Sequence, residues 1–464
     1  MLRAWLGRAR SPRIGPGTRR LAGGAALGAV LGMLAATGGC RGEDIYFDCE
    51  YQESEFRAEV ARTSELLVPI PQGEPYPVAI KFSEAGVNTL LEGVVGQDVP
   101  FTGELPFVWY TGPGTLKFEA TSAPVIELES LEGCPTCVQY SFDFSCVMYG
   151  LDDEPQGAGV GSVKFRIPME LEPKGETSTV LVADYSRLRV QELYLNAFGL
   201  ETEEHPALVE ALGLFMEEKI RESYGATELL TLDSWEIGEG DVRLLARKLL
   251  VFPEQDTMVL AMQSNLALPP GGGLEIDGEM PMGVPMVVDF DIALFESMVD
   301  RLMDEGEIPR IYDEDGVPDE DGNYGVTLEH IVGAPGGQEF MTTQFKVWRF
   351  ADGYCGYALA TMDLDVDLVE GEGVVLTAGE VAVLGGQGAG AVAAQESQLV
   401  EDNQDVVSTF RDGVAGNLGT TINYDALAIE GSSIVFTTLA KDVEVDHLET
   451  WIDFFLVEPS DSDP

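Results

Sequence analysis

The stretch that decides the fold is Pro77-Val-Ala-Ile-Lys-Phe82, followed at once by Ser83 and then by Val87, Leu90, Leu91, Val94 and Val95. The first six residues are mostly apolar, with β-prone Val78, Ile80 and Phe82 at alternate positions. Ser83 suits a helix N-cap, because its hydroxyl can accept a backbone N–H left unpaired by the helix start. The five apolar residues after it recur at helical spacing and fall on one face. The pattern predicts a short strand running directly into an amphipathic helix. It returns 208 residues later: Pro285-Met-Val-Val-Asp-Phe290 is again a strand, Asp291 again an N-cap, and Phe295, Met298, Val299, Leu302 and Met303 again an apolar helical face.

Each copy continues in the same order. In the first copy Val138, Tyr140, Phe142, Phe144 and Cys146 alternate with polar residues, as do Val163, Phe165, Ile167, Met169 and Leu171. In the second, Met362, Leu364, Val366 and Leu368 alternate with Asp363, Asp365 and Asp367. Period-two alternation turns one face of an antiparallel sheet inward and the other to water. A second helix follows in each copy. One runs from His205 to Tyr224 with Leu212, Phe215, Met216 and Ile220 on one face. The other runs from Asp405 to Leu418 with Val406, Phe410, Val414 and Leu418. Each copy is expected to close on a hairpin, Leu249–Phe252 with Met258–Leu260, and Leu427–Ile429 with Ile434–Phe436 around Glu430-Gly-Ser-Ser.

The expected architecture is α+β: two tandem elongated domains, each a strongly twisted antiparallel sheet wrapped around two helices. The expected boundaries are a leader at 1–40, a tether with an irregular approach at 41–76, a first domain at 77–268, a linker at 269–283, a second domain at 284–445, and a C-terminal tail at 446–464 that frays after Leu456. The order of elements, together with Val78-Ala-Ile-Lys-Phe-Ser-Glu-Ala-Gly-Val-Asn-Thr-Leu-Leu91, resembles the tubular lipid-binding superfamily represented by bactericidal/permeability-increasing protein. The resemblance covers residues 77 to 445 and implies an apolar seam that holds acyl chains. Val87, Leu90, Leu91, Val94, Phe142, Phe144, Phe165, Ile167, Leu212, Phe215, Met216, Ile220, Phe295, Met298, Val299 and Leu302 are the candidates to line it. For each, packed core is the competing assignment. Endotoxin-binding members of that family use a basic tip. This chain has no basic cluster after the leader, so that activity is not carried over.

The first 40 residues hold Arg3, Arg8, Arg10, Arg13, Arg19 and Arg20, no acidic residue, and an apolar run from Leu21 to Ala36. This is shorter than the roughly 20 residues of a membrane span and reads as an export signal. Thr37-Gly-Gly-Cys40 resembles a bacterial lipobox, with Thr37 where leucine is usual, which implies a lipid anchor on Cys40 and an envelope lipoprotein of the outer membrane, exposed to the periplasm or exterior. Without the leader the chain carries 80 acidic and 21 basic residues, a net charge of −59. Such a field repels phosphate backbones, so nucleic acid is excluded as a partner. The expected partners are a lipid or other hydrophobic small molecule and, through the anchor, a membrane. A structural or adhesive envelope protein with a filled interior is the alternative.

Five cysteines follow Cys40. Cys134-Pro-Thr-Cys137 is expected to form a structural bridge, with a redox pair or a zinc site built with Cys49 and Cys146 as alternatives. Cys355 is the expected odd thiol. Asp313-Glu-Asp-Gly-Val-Pro-Asp-Glu-Asp-Gly-Asn323 resembles one thrombospondin type 3 calcium unit. Asp313, Asp315, Asp319 and Asp321 would be its ligands, and a solvated acidic loop is the alternative. No cofactor is required, and calcium is the one candidate ion. Gly386-Gln-Gly-Ala-Gly390 follows an apolar strand but lacks the βαβ unit of a dinucleotide site. The histidines, His205, His330 and His447, are far apart, and no hydrolase motif is present, so the chain reads as non-enzymatic.

Overall fold

The computed structural model describes residues 49–62, 66–95, 102–109, 112–122, 124–129, 133–150, 152–197, 206–237, 242–334, 340–351, 354–369, 373–386, 404–418 and 434–456. Cys40, Leu427–Ile429, His205 and the glycine run after Gly386 lie outside them, as do the side chains of Leu91 and Val94. The class is α+β: five α-helices and three strongly curled antiparallel sheets among the described residues.

β1 (Val78–Ser83) runs into α2 (Glu84–Val95), and β13 (Met286–Asp291) into α4 (Ile292–Glu305). The two strands lie side by side, antiparallel, with Val78 opposite Phe290, Ile80 opposite Val288 and Phe82 opposite Met286. The sequence offset of 208 makes Val288 the repeat equivalent of Ile80. Each is therefore paired with its own counterpart, and a local pseudo-twofold axis passes between them. The hydrogen bonds obey the axis. The Ser83 N–H donates to the Pro285 carbonyl (3.0 Å) and the Asp291 N–H to the Pro77 carbonyl (2.8 Å). One step on, the Glu84 N–H donates to the Asp256 carbonyl and the Ile292 N–H to the Asp446 carbonyl, both 2.9 Å. Each helix start is thus satisfied by a hairpin turn of its own copy, the need that helix termini create. The expected N-caps also form: Ser83 Oγ accepts from Gly86 (3.1 Å), and Asp291 Oδ1 from Ala293 (2.7 Å). Gly86 is obligatory there, because a Cβ would collide with the Pro285 carbonyl.

Around this pair grows a seven-stranded sheet shared by both copies. On the first-copy side stand β12 (Thr257–Ser264), β11 (Val242–Phe252) and β10 (Trp235–Ile237). On the second stand β20 (His447–Leu456) and β19 (Ile434–Val443). The closing hairpin of the second copy therefore turns at Glu444–Asp446, some fourteen residues later than the Glu430-Gly-Ser-Ser placement. β20 lies beyond the expected end of the second domain at 445, and it pairs along its whole length with β13 or β19. Its inward positions are Leu448, Thr450, Ile452 and Phe454, all buried, alternating with Glu449, Trp451 and Asp453. The end expected to fray, after Leu456, lies outside the described residues.

Each copy keeps a further sheet of its own. In the first copy these are β2 (Thr102–Trp109), β3 (Gly112–Ala120), β4 (Val125–Glu127), β5 (Cys137–Tyr149), β6 (Pro155–Pro173), β7 (Ser178–Asp184), β8 (Arg189–Ala197) and β9 (Ala226–Asp233), with α3 (Pro206–Tyr224) packed on β8. In the second they are β14 (Ile311–Tyr312), β15 (Tyr324–Gly333), β16 (Phe340–Ala351), β17 (Tyr354–Val369) and β18 (Gly373–Gly386), which pack against α4 and α5 (Gln404–Leu418).

Two segments expected to be slack are packed. α1 (Cys49–Arg62) lies on the second-copy sheet, joined by a Cys49–Cys355 disulfide. Phe56 meets Phe350 and Trp348 edge-on at 5.3 and 5.9 Å. The Glu59 carboxylate takes Lys346 at 2.5 Å and the Thr327 hydroxyl at 2.8 Å. Cys355 is accordingly not the odd thiol. That is Cys146, buried in β5, and the Cys134–Cys137 bridge is present, which leaves no four-cysteine zinc site. The 269–283 segment folds back onto β1: Lys81 reaches the Asp277 carboxylate (2.7 Å) and the Glu279 carbonyl (3.2 Å).

Lys81 also pairs with Asp289 at 2.9 Å, both side chains buried. These two are repeat equivalents, so opposite charges stand at equivalent places across the axis. Burial pushes the Asp289 carboxyl up, partly opposed by Lys81. At Lys81 burial works against the charge, but the surrounding carboxylates outweigh it and the ammonium is raised. Glu449, opposite Asp289 on β20, is also raised, by burial and by Asp289. Removing one partner of a buried pair costs about 3–5 kcal/mol, while replacing both by apolar groups is often neutral. Lys81→Met is therefore expected to lower the urea midpoint strongly, and more at pH 8 than at pH 5, where Asp289 and Glu449 can take up protons. Lys81→Met/Asp289→Leu should recover most of the loss. Equal midpoints for single and double variants would show the pair to be unimportant.

Candidate functional site

The site is a cleft in the first copy, between its curled sheet and α3. The inward residues of β5 and β6 form the floor. Tyr140 stands opposite Phe165, and Val138 opposite Ile167, in one antiparallel register. The Phe142 and Phe165 rings lie 5.7 Å apart. Ala120, at the end of β3, and Ser122 and Pro124, in the following loop, form one wall. Tyr185, Leu188 and Ile220 form the roof. The alternation of β5 and β6 delivers the floor directly, because every second side chain points to the same side.

The roof is held by polar contacts. Asp184 caps the short 3₁₀ turn Tyr185–Arg187 by accepting from the Ser186 N–H (3.1 Å). On α3, Leu212, Met216 and Ile220 recur every fourth residue and point down into the core. Glu217 and Arg221 on the adjacent stripe pair with each other. Glu217 Oε1 accepts from the Val190 N–H (2.8 Å), and Arg221 donates to the Leu188 carbonyl (2.8 Å). This clamp fixes the helix against the turn that supplies Leu188. The space beneath is about 80 Å³, open at one side. That is below the roughly 300–1,000 Å³ of ordinary small-molecule pockets, and it suits a slender apolar group better than a bulky one.

The sequence candidates divide accordingly. Phe142, Phe165, Ile167 and Ile220 line the cleft. Phe144, Leu212 and Met216 are fully buried behind it. Phe215 is half-buried, edge-on to Phe118 at 6.2 Å. Val87 is buried and Leu90 packs on the same core. In the second copy Phe295, Met298 and Val299 are buried and Leu302 packs against them. There Phe345 and Phe410 meet ring to ring at 4.9 Å between β16 and α5. Sequence reading missed Ala120, Ser122, Pro124, Tyr140, Tyr185 and Leu188 as lining residues. Tyr140 shares the alternation of Phe142 and could have been found. Ala120 ends β3 in period-two step with the buried Leu116 and Phe118, and the others come from loops and turns that carry no periodic signal.

The acidic loop folds on itself. Asp313 Oδ1 accepts from the Asp315 and Val317 N–H groups (both 2.9 Å), and Asp319 Oδ1 from Asp321 (3.0 Å). The loop also docks on α5: Thr409 donates to the Gly316 carbonyl (3.1 Å), and Gly316 has φ 72° with Asp405 backbone where a Cβ would be. Among the described residues no group of three or more His, Cys, Asp or Glu is placed to hold a metal ion, and no helix is long and apolar enough to cross a membrane. The histidines stay apart: His447 contacts Asp446 (2.9 Å), while His330 lies on β15.

No family model matches the chain, and no curated protein does. Among solved structures, a lipopolysaccharide binding protein is similar over 83% of this chain and 100% of its own, at 11% identity and a TM-score of 0.38. P47 of Clostridium botulinum E1 is similar over 82% of this chain and 99% of its own, at 8% identity and a TM-score of 0.46.

On α4, Glu296, Asp300 and Asp304 stack at intervals of four, with Glu296 accepting from the Ile331 N–H of β15 at 3.1 Å. Arg310 contacts Asp304 at 2.6 Å and Asp300 at 3.7 Å. Burial pushes the Asp300 carboxyl up to about 7; Arg310 opposes this, and Glu296 and Asp304 add to it. A carboxyl raised in the folded state holds a proton that the unfolded chain has released, so stability falls as pH rises from about 4 to about 7. Asp300→Asn should therefore melt above the parent protein at pH 8, by about 1 °C for each kcal/mol relieved in a chain of this length, and close to it at pH 4.5. A difference that does not change with pH would contradict this.

Proposed function

We propose that the protein is a membrane-anchored lipoprotein of the bacterial envelope that binds or shuttles a lipid, or another slender hydrophobic molecule, in the first-copy cleft. The supporting observation is the cleft itself. Phe142, Phe165, Ile167, Leu188 and Ile220 turn apolar surface toward a space that one side of the fold leaves open. Burying acyl chain in such a space gains about 0.8 kcal/mol per CH₂. The resemblance of residues 77–445 to tubular lipid-binding proteins favours the same reading, as does the leader ending at Cys40. In this reading the two copies are tandem lipid-binding domains, the chemistry is binding and not catalysis, and Cys40 carries the anchor. The acidic surface disfavours anionic headgroups at long range.

The protein lacking residues 1–40 should co-purify with fatty acid or phospholipid, seen by native mass spectrometry before and after organic extraction. Ala120→Leu, which extends a side chain into the cleft, should weaken uptake of a fluorescent fatty acid by about tenfold, the equivalent of roughly 1.4 kcal/mol, while leaving the melting temperature unchanged or higher. A single lipid-free mass together with no uptake by the parent protein would reject the reading. Uptake unaffected by Ala120→Leu would reject this cleft as the place.

A further inference from the structure

We propose that the Cys134–Cys137 disulfide is an exchangeable redox bond that accepts two electrons from an external dithiol, with Arg166 stabilising the sulfur that leaves. The bond closes the turn Cys134-Pro-Thr-Cys137, in which Gly133 and Pro135 are exposed, Cys134 keeps 9% of its surface exposed, and Cys137 is buried at the start of β5. A bridge between residues three apart in sequence removes little chain entropy. The second bridge, Cys49–Cys355, spans a separation of 306 and ties α1 to the body. The short bond is thus the weaker staple of the two. Arg166 Nε donates to Cys137 Sγ at 3.3 Å. In the disulfide that sulfur is a poor acceptor. As a thiolate it makes a charge-assisted hydrogen bond, which is about twice as strong as a neutral one. The neighbouring cations on these strands are engaged elsewhere, Lys164 with Glu127 at 2.7 Å and Arg189 with Glu217 at 3.8 Å, so the stabilisation of the sulfur is assigned to Arg166. A cation beside a sulfur favours its thiolate.

The exchange balances as follows. An external thiolate attacks Cys134 Sγ, forming a mixed disulfide, and the Cys134–Cys137 bond breaks. The electron pair leaves with Cys137 Sγ, which becomes a thiolate held by Arg166. The second thiolate of the same reagent attacks its own sulfur in the mixed disulfide, which releases Cys134 as thiolate and leaves the reagent as a disulfide. The reverse passage, with a disulfide-bonded reagent, restores the bond. A better-stabilised leaving thiolate accelerates the first step.

The test is reduction of the intact protein by dithiothreitol, with free thiols trapped by a maleimide and assigned to each cysteine by peptide mass spectrometry. Cys134–Cys137 should open about tenfold or more faster in the native protein than in the same chain unfolded in concentrated guanidinium chloride. Cys49–Cys355 should stay closed in the native protein. Arg166→Gln should slow native opening of Cys134–Cys137 by about tenfold, and Arg166→Lys should retain part of the rate. Opening that is slower in the native protein than in the unfolded chain identifies a structural staple and overturns the proposal. A rate unaffected by Arg166→Gln, in a variant with unchanged circular dichroism, overturns the role of Arg166. Should that variant not fold, the native-to-unfolded rate ratio of the parent protein still decides whether the bond is exchangeable.

Discussion

Everything in the fold is referred to the pairing of β1 with β13. Each of these strands has a neighbour from its own copy on one side and the other copy on the other, so the sheet between the copies is continuous. Register along that pair is fixed twice. The apolar residues Val78, Ile80, Phe82, Met286, Val288 and Phe290 must stay on the buried faces, and a slip of one residue would turn all of them over. Lys81 and Asp289 must also meet, since Asp289 without the ammonium would be a buried charge stripped of its ion pair. A self-pairing of two identical first copies would set Lys81 against Lys81. The charge pair therefore makes the association of unlike copies the favourable one, as polar groups at single buried positions do in other assemblies.

From that axis the two copies grow outward by the same rules and end differently. The helix that follows each central strand begins on a cap residue at an equivalent position, and its first N–H groups find carbonyls of equivalent hairpin turns. Beyond this the constraints are local. The second copy has α1 clamped on its sheet through a disulfide, an aromatic contact and the Glu59–Lys346 ion pair. The first has α3 clamped to a 3₁₀ turn through Glu217 and Arg221. One clamp covers a sheet face; the other holds a roof above an open one.

What could be read in the sequence was what repeats with a period. Val87, Leu90 and Phe295 mark helices, and Phe142 and Phe165 mark an inward sheet face, because burial of one side imposes the spacing. The strand-helix junctions at Ser83 and Asp291 were legible down to the capping hydrogen bond. β20 was not, although Leu448, Thr450, Ile452 and Phe454 alternate with Glu449, Trp451 and Asp453, because the earlier apolar runs Leu427–Ile429 and Ile434–Phe436 already satisfy the pattern of a closing hairpin. The partner of Cys49 lay 306 residues away, a distance at which spacing carries no information. Part of the cleft was hidden for the same reason: Ser122, Pro124, Tyr185 and Leu188 are brought there by loops and turns, and only the strand residues have a pattern.

The cleft has a thermodynamic signature that separates a binding site from imperfect packing. Unfilled space within a core costs about 24 cal/mol per Å³, so some 80 Å³ open at one side costs at most about 2 kcal/mol. Both copies carry an aromatic pair across the seam between sheet and helix, Phe118 against Phe215 at 6.2 Å in the first and Phe345 against Phe410 at 4.9 Å in the second. The open space of the first copy lies beside Ala120, Ser122 and Pro124, and a larger apolar residue at position 120 would recover part of the loss. A ligand that entered would return it as well, stabilising the fold by mass action in proportion to its concentration over its dissociation constant.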